Sequence, residues 1–126
     1  MIVVDSSNFI SWMRASRNPI TLLAVPAQAG ELVSCGIIRS EVLRGVVKPN
    51  VKEQLTEFFQ IVPEVALTPA LLHEAAEMAW RLDRQGNILP ITDLLIGACA
   101  QKAKATLISE DPHFQRIPGL KVRAEL

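Results

Sequence analysis

Short apolar runs rich in β-branched residues alternate with stretches of helical periodicity along the whole chain, and this alternation limits the possible folds more than any other feature. "MIVVD" is a β-branched run ending at Asp5, and "SNFISWMRAS" follows it with Phe9, Ile10 and Met13 at helical spacing. After a proline-containing segment, "ELVSCGII" reads as a second strand, and "RSEVLRGVV" begins a helix that Pro49 ends or follows. "VKEQLTEFFQ" puts Val51, Leu55, Phe58 and Phe59 on one helix face, while Pro63 assigns the extended "IVPEVALT" to an edge or a bulge. The clearest helix is "TPALLHEAAEMAWRLDRQG": Thr68 caps it, Pro69 takes the first helical position, and Gly86 stops it. Its expected apolar face runs through Leu72, Ala75, Ala76, Ala79 and Leu82. A buried helix from about Thr92 to Lys104, a β-rich "ATLISED" ending at Glu110 and Asp111, and a terminal strand in "LKVRAEL" complete the order. The order predicts an α/β fold, with a mainly parallel central sheet, helices on both faces and right-handed crossovers.

Residues 1–126 are expected to form one domain, large enough to bury roughly two-thirds of the unfolded surface and free of repeats, linkers or low-complexity tracts. Thirteen Lys plus Arg balance thirteen Asp plus Glu, so no global charge draws the chain to nucleic acid or to an anionic membrane. Any polyanion site has to be a local patch. Cys35 and Cys99 lie in apolar runs without metal-knuckle spacing, which reads as buried, reduced thiols in a cytoplasmic protein. No signal peptide or apolar run of spanning length is visible in "MIVVDSS" or beyond.

In an open parallel sheet, ligands gather beyond the carboxyl ends of the strands. Four acids are expected at that edge: Asp5 after the first strand, Glu41 just inside the helix after the second, Asp93 at the mouth of the buried helix, and Asp111 after "TLIS". Each has a plain structural explanation, as a helix-dipole partner, a cap or a turn starter. Together they would repel one another at a cost of several kcal/mol unless a cation offset the charge. Oxygen ligands with no His or Cys nearby suit Mg²⁺ or Mn²⁺. His73 and His113 form no H-x₃-H pair, so zinc fits poorly. An acid cluster holding such an ion points to phosphodiester hydrolysis by activated water. Arg14, Arg17, Arg39, Arg44 and Lys48 could contact flanking phosphates. His113, at a turn beside Phe114, reads as an exposed packing residue rather than a proton shuttle, and Trp12 and Trp80 read as core or interface packing rather than base stacking.

The blocks "IVVDSSNFISWM", "IIRSEVLRG", "ILPITDLLIGACAQKAKATLISED" and "DPHFQRIPGLKV" together resemble a PIN-domain ribonuclease of the VapC type, the toxin half of a type II toxin–antitoxin pair, over nearly the whole chain. The resemblance implies a three-layer α/β/α PIN-like fold. It also implies that Asp5 and Asp93 are the principal Mg²⁺ ligands, with Glu41 and Asp111 completing the acid pocket directly or through water. Ser6 or Ser109 could orient that shell. It implies a VapB-type antitoxin partner that obstructs the pocket, a structured RNA such as tRNA or rRNA as substrate, and a homodimer. Two blocks depart from the family pattern. His113 stands where relatives often carry Asp before Phe, with Pro112 after the fourth acid, and Arg39 and Ser40 replace a frequent Thr and a small or apolar residue. Three other readings remain open: an RNA-processing PIN nuclease without a dedicated antitoxin, a receiver-like regulatory module, and a non-catalytic binding protein. The receiver reading expects paired acids after the first strand, where this chain has "VVDSS".

Overall fold

The computed structural model describes residues 1–126 as a five-stranded, wholly parallel sheet flanked by six helices in a three-layer α/β/α arrangement. Chain order is β1 (Ile2–Val4), α1 (Ser6–Arg14), α2 (Pro19–Gln28), β2 (Leu32–Cys35), α3 (Gly36–Gly45), α4 (Pro49–Ile61), β3 (Glu64–Val65), α5 (Pro69–Arg84), α6 (Ile91–Lys102), β4 (Thr106–Ile108) and β5 (Val122–Arg123). A short 3₁₀ turn at Pro112–Arg116 separates the last two strands. Strand order is β3-β2-β1-β4-β5, so β1 lies at the centre, with Val3 opposite Val33 on one side and Leu107 on the other. The winding reverses between β1 and β4. That reversal opens a crevice beyond their carboxyl ends, where Asp5 and Ser109 stand.

The central strands are short because each needs only a few β-branched or aliphatic residues to fill a doubly covered sheet. Val3, Val4, Leu107 and Ile108 are all buried, and Phe9 packs its ring against Phe59 at 5.5 Å between α1 and α4. No helix is long and apolar enough to cross a membrane.

Several boundaries differ from the sequence expectation. The proline-containing segment is the helix α2: Asn18 accepts a hydrogen bond from the Ile20 N–H at 2.9 Å, and Pro19 occupies the first position. Pro26 lies within the last turn, where the helix is about to end in any case. The second strand stops at Cys35, and Gly36, Ile37 and Ile38 already belong to α3. In α5 the Thr68 cap, accepting from the Leu71 N–H at 3.2 Å, and the Gly86 stop at φ +76° are as expected, but the buried face runs through Leu71, Ala75 and Leu82. Leu72 and Ala76 face outward. β4 ends at Ile108, and the terminal strand shrinks to Val122–Arg123.

Seven consecutive residues of α6, Leu94 to Ala100, are buried, which makes this helix the most enclosed element. Gly97 allows a close approach: a Cβ there would sit 2.9 Å from Ile117 Cδ1, in the segment that follows the 3₁₀ turn. Cys35 and Cys99 are free and buried. The Cys99 thiol donates toward Cys35, and this, with the α3 backbone N–H groups of Ile38 and Ile37, holds the Cys35 thiol down at about 7 against its burial; Cys99 is pushed up.

Candidate functional site

Asp5, in extended backbone immediately after β1, caps α1. Its N–H bonds to the Ile108 carbonyl at 2.8 Å, which fixes the backbone across the crevice. Although only 4% exposed, its carboxylate is not orphaned. Oδ2 accepts from Ser7 Oγ at 2.8 Å, from Ser109 Oγ at 3.0 Å and, at 3.4 Å, from the Ser7 N–H. The protein offers no donor to the other oxygen, Oδ1.

The loop after β4 is assembled around those hydroxyls. The Asp111 N–H donates to Ser109 Oγ at 3.0 Å, and the Glu110 N–H donates to Asn8 Oδ1 at 3.1 Å. Asn8 is fully buried, and its Nδ2 donates to the Ala124 carbonyl at 2.8 Å, tying the first helix to the C-terminal end of the described chain. Asp111 then caps the 3₁₀ turn, accepting the His113 N–H at 2.9 Å. Phe114, 1% exposed, roots that turn in the core.

Rooting the turn brings His113 over the start of α6. Its Nδ1 lies 2.9 Å from Asp93 Oδ2 and 3.4 Å from Asp111 Oδ1, and one ligand atom from each of the three residues falls within a 4.8 Å group. The expectation that no histidine lies near the acids is thus overturned. His113 is a half-buried member of the cluster, not an exposed packing residue.

Glu41 joins from α3, its Oε1 accepting from Ser6 Oγ at 3.4 Å. Because α3 starts at Gly36, Glu41 lies beyond the first turn, and the helix dipole that stabilises Asp93 does not explain it. Glu41 keeps part of its surface in solvent; partial desolvation first, then the Asp5 and Asp93 charges, raise its carboxyl above the ordinary range, against the Ser6 hydrogen bond. Asp93 is raised by burial and by the charges of Asp111 and Asp5, while His113 opposes the rise through its hydrogen bond and its charge. All four acids therefore act within one electrostatic neighbourhood, with Asp93, Asp111 and His113 the tightest group and Asp5 held by hydroxyls beside it.

This donor set fits a divalent cation. It offers an unpartnered Asp5 oxygen, two carboxylates with an imidazole between them, and mutual repulsion that a cation would relieve. The sequence identifies the acids and the serines Ser6 and Ser109. It misses Ser7 and Asn8 and takes His113 for a packing residue, because their contacts arise only in the fold.

The basic residues do not converge on the acids. Arg39 of α3 is paired with Glu64 of β3, Nε to Oε2 at 2.7 Å and a second guanidinium nitrogen to Oε1 at 3.3 Å. Arg14, Arg17 and Lys48 line a separate cleft of about 630 Å³, whose apolar lining includes Ile10, Met13, Ile20, Val46, Val51 and Leu55. Arg44 is exposed in the last turn of α3. Trp12 is in the core, whereas Trp80 is exposed, with the Arg84 guanidinium 4.5 Å from its ring centre.

Residues 2–120 match the family model of the PIN domain. Among solved structures, the chain resembles one from the VapBC2 assembly of Rickettsia felis bound to a DNA fragment from its promoter, with a TM-score of 0.74, 21% identity, and 98% of both chains covered. It also resembles one from DNA-bound VapBC of Salmonella typhimurium, with a TM-score of 0.77, 16% identity, and 97% of this chain and 96% of that one covered. A third is from VapBC-1 of nontypeable Haemophilus influenzae, with a TM-score of 0.73, 21% identity, and 98% and 97% covered. At these identities the likeness is one of fold. No curated protein sequence matches the chain.

Proposed function

That the chain belongs to the PIN domain family is the premise from which we propose that it is a divalent-metal-dependent endoribonuclease, the toxin of a VapBC-type pair. The observation that carries the reading is the gathering of Asp5, Glu41, Asp93 and Asp111 at the crevice where the sheet reverses its winding. Four acids set there for structural reasons alone would destabilise the fold without return.

In this reading Asp5 Oδ1, Asp93 and Asp111 hold the cation, Mg²⁺ or Mn²⁺, with Glu41 beside them. A divalent ion in the pocket supplies Lewis acidity toward a phosphate oxygen and toward water. Ser7 and Ser109 fix the rotamer of Asp5 by occupying Oδ2, which leaves Oδ1 without a competing donor. Glu41, with Oε1 turned to Ser6, keeps Oε2 to accept a proton from the water that attacks the phosphodiester. Exposed Arg14 and Arg44 are the candidates for flanking phosphates; Arg39 is not, because its guanidinium is engaged by Glu64.

The antitoxin belongs to the same reading. Two of the similar solved structures, one from Klebsiella pneumoniae and VapBC-5 from Mycobacterium tuberculosis, are toxin–antitoxin systems by name, and the cleft between α1, α2 and α4 has an apolar lining with Arg14, Arg17 and Lys48 among it. That chemistry fits an amphipathic partner segment bearing acids. A homodimer is likewise proposed; the exposed ridge of Leu72, Ala76 and Trp80 on α5 is apolar surface that supports it.

The test is cleavage of total cellular RNA by the purified chain, free of any partner, with Mg²⁺ or Mn²⁺, with EDTA, and with Asp93→Asn of equal folding. Discrete fragments that need both the ion and Asp93 are expected, with a loss of at least about 10²-fold in the variant. Fragments that persist in EDTA or in Asp93→Asn would sink the proposal.

A further inference from the structure

We infer that His113 is a nitrogen donor to the cation, and that its imidazole shifts the preference of the pocket away from Mg²⁺ toward the first-row transition ions, a series that begins with Mn²⁺. This rests on the reading of the acid pocket as a cation site given above, and it concerns which ion that site selects.

The argument is one of spacing and chemistry. Around an octahedral ion with bonds of about 2.0–2.2 Å, neighbouring donor atoms stand about 3 Å apart. His113 Nδ1 lies 2.9 Å from Asp93 Oδ2 and 3.4 Å from Asp111 Oδ1, so the three side chains already hold the separations that neighbouring ligands take. The ring is placed by packing and not by the acids alone. The His113 N–H is bonded to Asp111 Oδ1 at 2.9 Å, and Phe114, next in sequence, is 1% exposed. A side chain fixed from behind by its own backbone and its neighbour is the kind that holds a donor atom in place.

Ligand type then decides the ion. Carboxylate and water suit Mg²⁺ and Mn²⁺ alike, but Mg²⁺ strongly prefers oxygen, whereas imidazole raises affinity along the transition series, starting at Mn²⁺. A pocket of acids alone would not separate the two ions on this ground. Nitrogen among the carboxylates does.

The chain has only His73 and His113, and His73 sits exposed on α5 beside Glu77, so a nitrogen signal from a bound ion can be assigned by substitution. The experiment loads the tag-free wild type, His113→Asp and His73→Gln with Mn²⁺ and records pulsed electron paramagnetic resonance for directly bound ¹⁴N. Calorimetric titrations of Mn²⁺ and Mg²⁺ run on the same proteins, with circular dichroism confirming the fold. Wild type and His73→Gln are expected to show imidazole nitrogen on Mn²⁺ and His113→Asp to lose it, while the ratio of Mn²⁺ to Mg²⁺ affinity falls about tenfold in His113→Asp. Bound Mn²⁺ without nitrogen coupling, or a ratio unchanged in His113→Asp, would overturn the inference and leave His113 a hydrogen-bond partner of Asp93. If RNA is still cut in an ion-dependent way in that event, the nuclease reading survives. Failure of both ions to bind folded wild type removes the cation site, and both readings fall together.

Discussion

Asp5 and Glu41 show two ways in which a fold keeps a carboxylate near other carboxylates. Asp5 is stabilised by donors, two serine hydroxyls and a backbone N–H on one oxygen, whereas Glu41 has only the Ser6 hydroxyl at 3.4 Å and feels burial and the neighbouring charges more than any donor. Glu41 and Asp93 therefore bind protons more tightly in the native state than in the unfolded chain. The sign of the linkage follows. Their contribution to stability is fully present below the ordinary carboxylate range and is lost as pH rises through the raised native values. In EDTA, Glu41→Gln should melt with the wild type below about pH 4 and above it at neutral pH, because the neutral amide removes a repulsion that only the ionised acid suffers. Thermal melts at both pH values check this; a variant that melts below the wild type at pH 7 in EDTA would show that Glu41 is held by interactions absent from this account.

Elements were legible where local chemistry is strong. The strand at "MIVVD", the capped helix from Pro69 and the enclosed helix carrying Asp93 all follow from β-branching, Thr68 and Gly86, or unbroken apolarity. The helix α2 was not, because Pro19 and Pro26 read as breakers and its apolar residues mark no clear face, although Pro19 is at a position that favours a helix. β2 was overrun because Ile37 and Ile38 look β-like while belonging to α3. His113 reads from sequence as a packing residue because its partner Asp93 is 20 positions away, and only the anchoring of Phe114 makes them meet. The end of α6 carries a prediction of its own. Lys104 adopts φ 53° just past the Ala103 cap, a left-handed conformation that costs a residue with a Cβ about 1–2 kcal/mol. Lys104→Gly should accordingly stabilise the protein by about 1 kcal/mol in urea unfolding without altering RNA cleavage. An unchanged midpoint would mean that the lysine side chain recovers that cost.

At the scale of the molecule, the parallel sheet and the pocket are one structure, since β1, α3, α6 and the loop after β4 each supply an acid. An ion bound by all of them stabilises the whole fold by mass action, about 2.7 kcal/mol at a hundredfold excess over its Kd. Wild type should rise in Tm with Mn²⁺ concentration, whereas Asp93→Asn should respond weakly; equal responses would place the ion elsewhere. The bond from Ser109 to Asp5 spans 104 positions, and the tie from Asn8 to Ala124 spans 116. During synthesis, the first of the acids leaves the ribosome long before the residues that complete its surroundings, and the central strand must wait for β4 before it has neighbours on both sides. A partly made chain therefore lacks the pocket, whose parts meet only once residues as far as Ala124 can fold back onto Asn8.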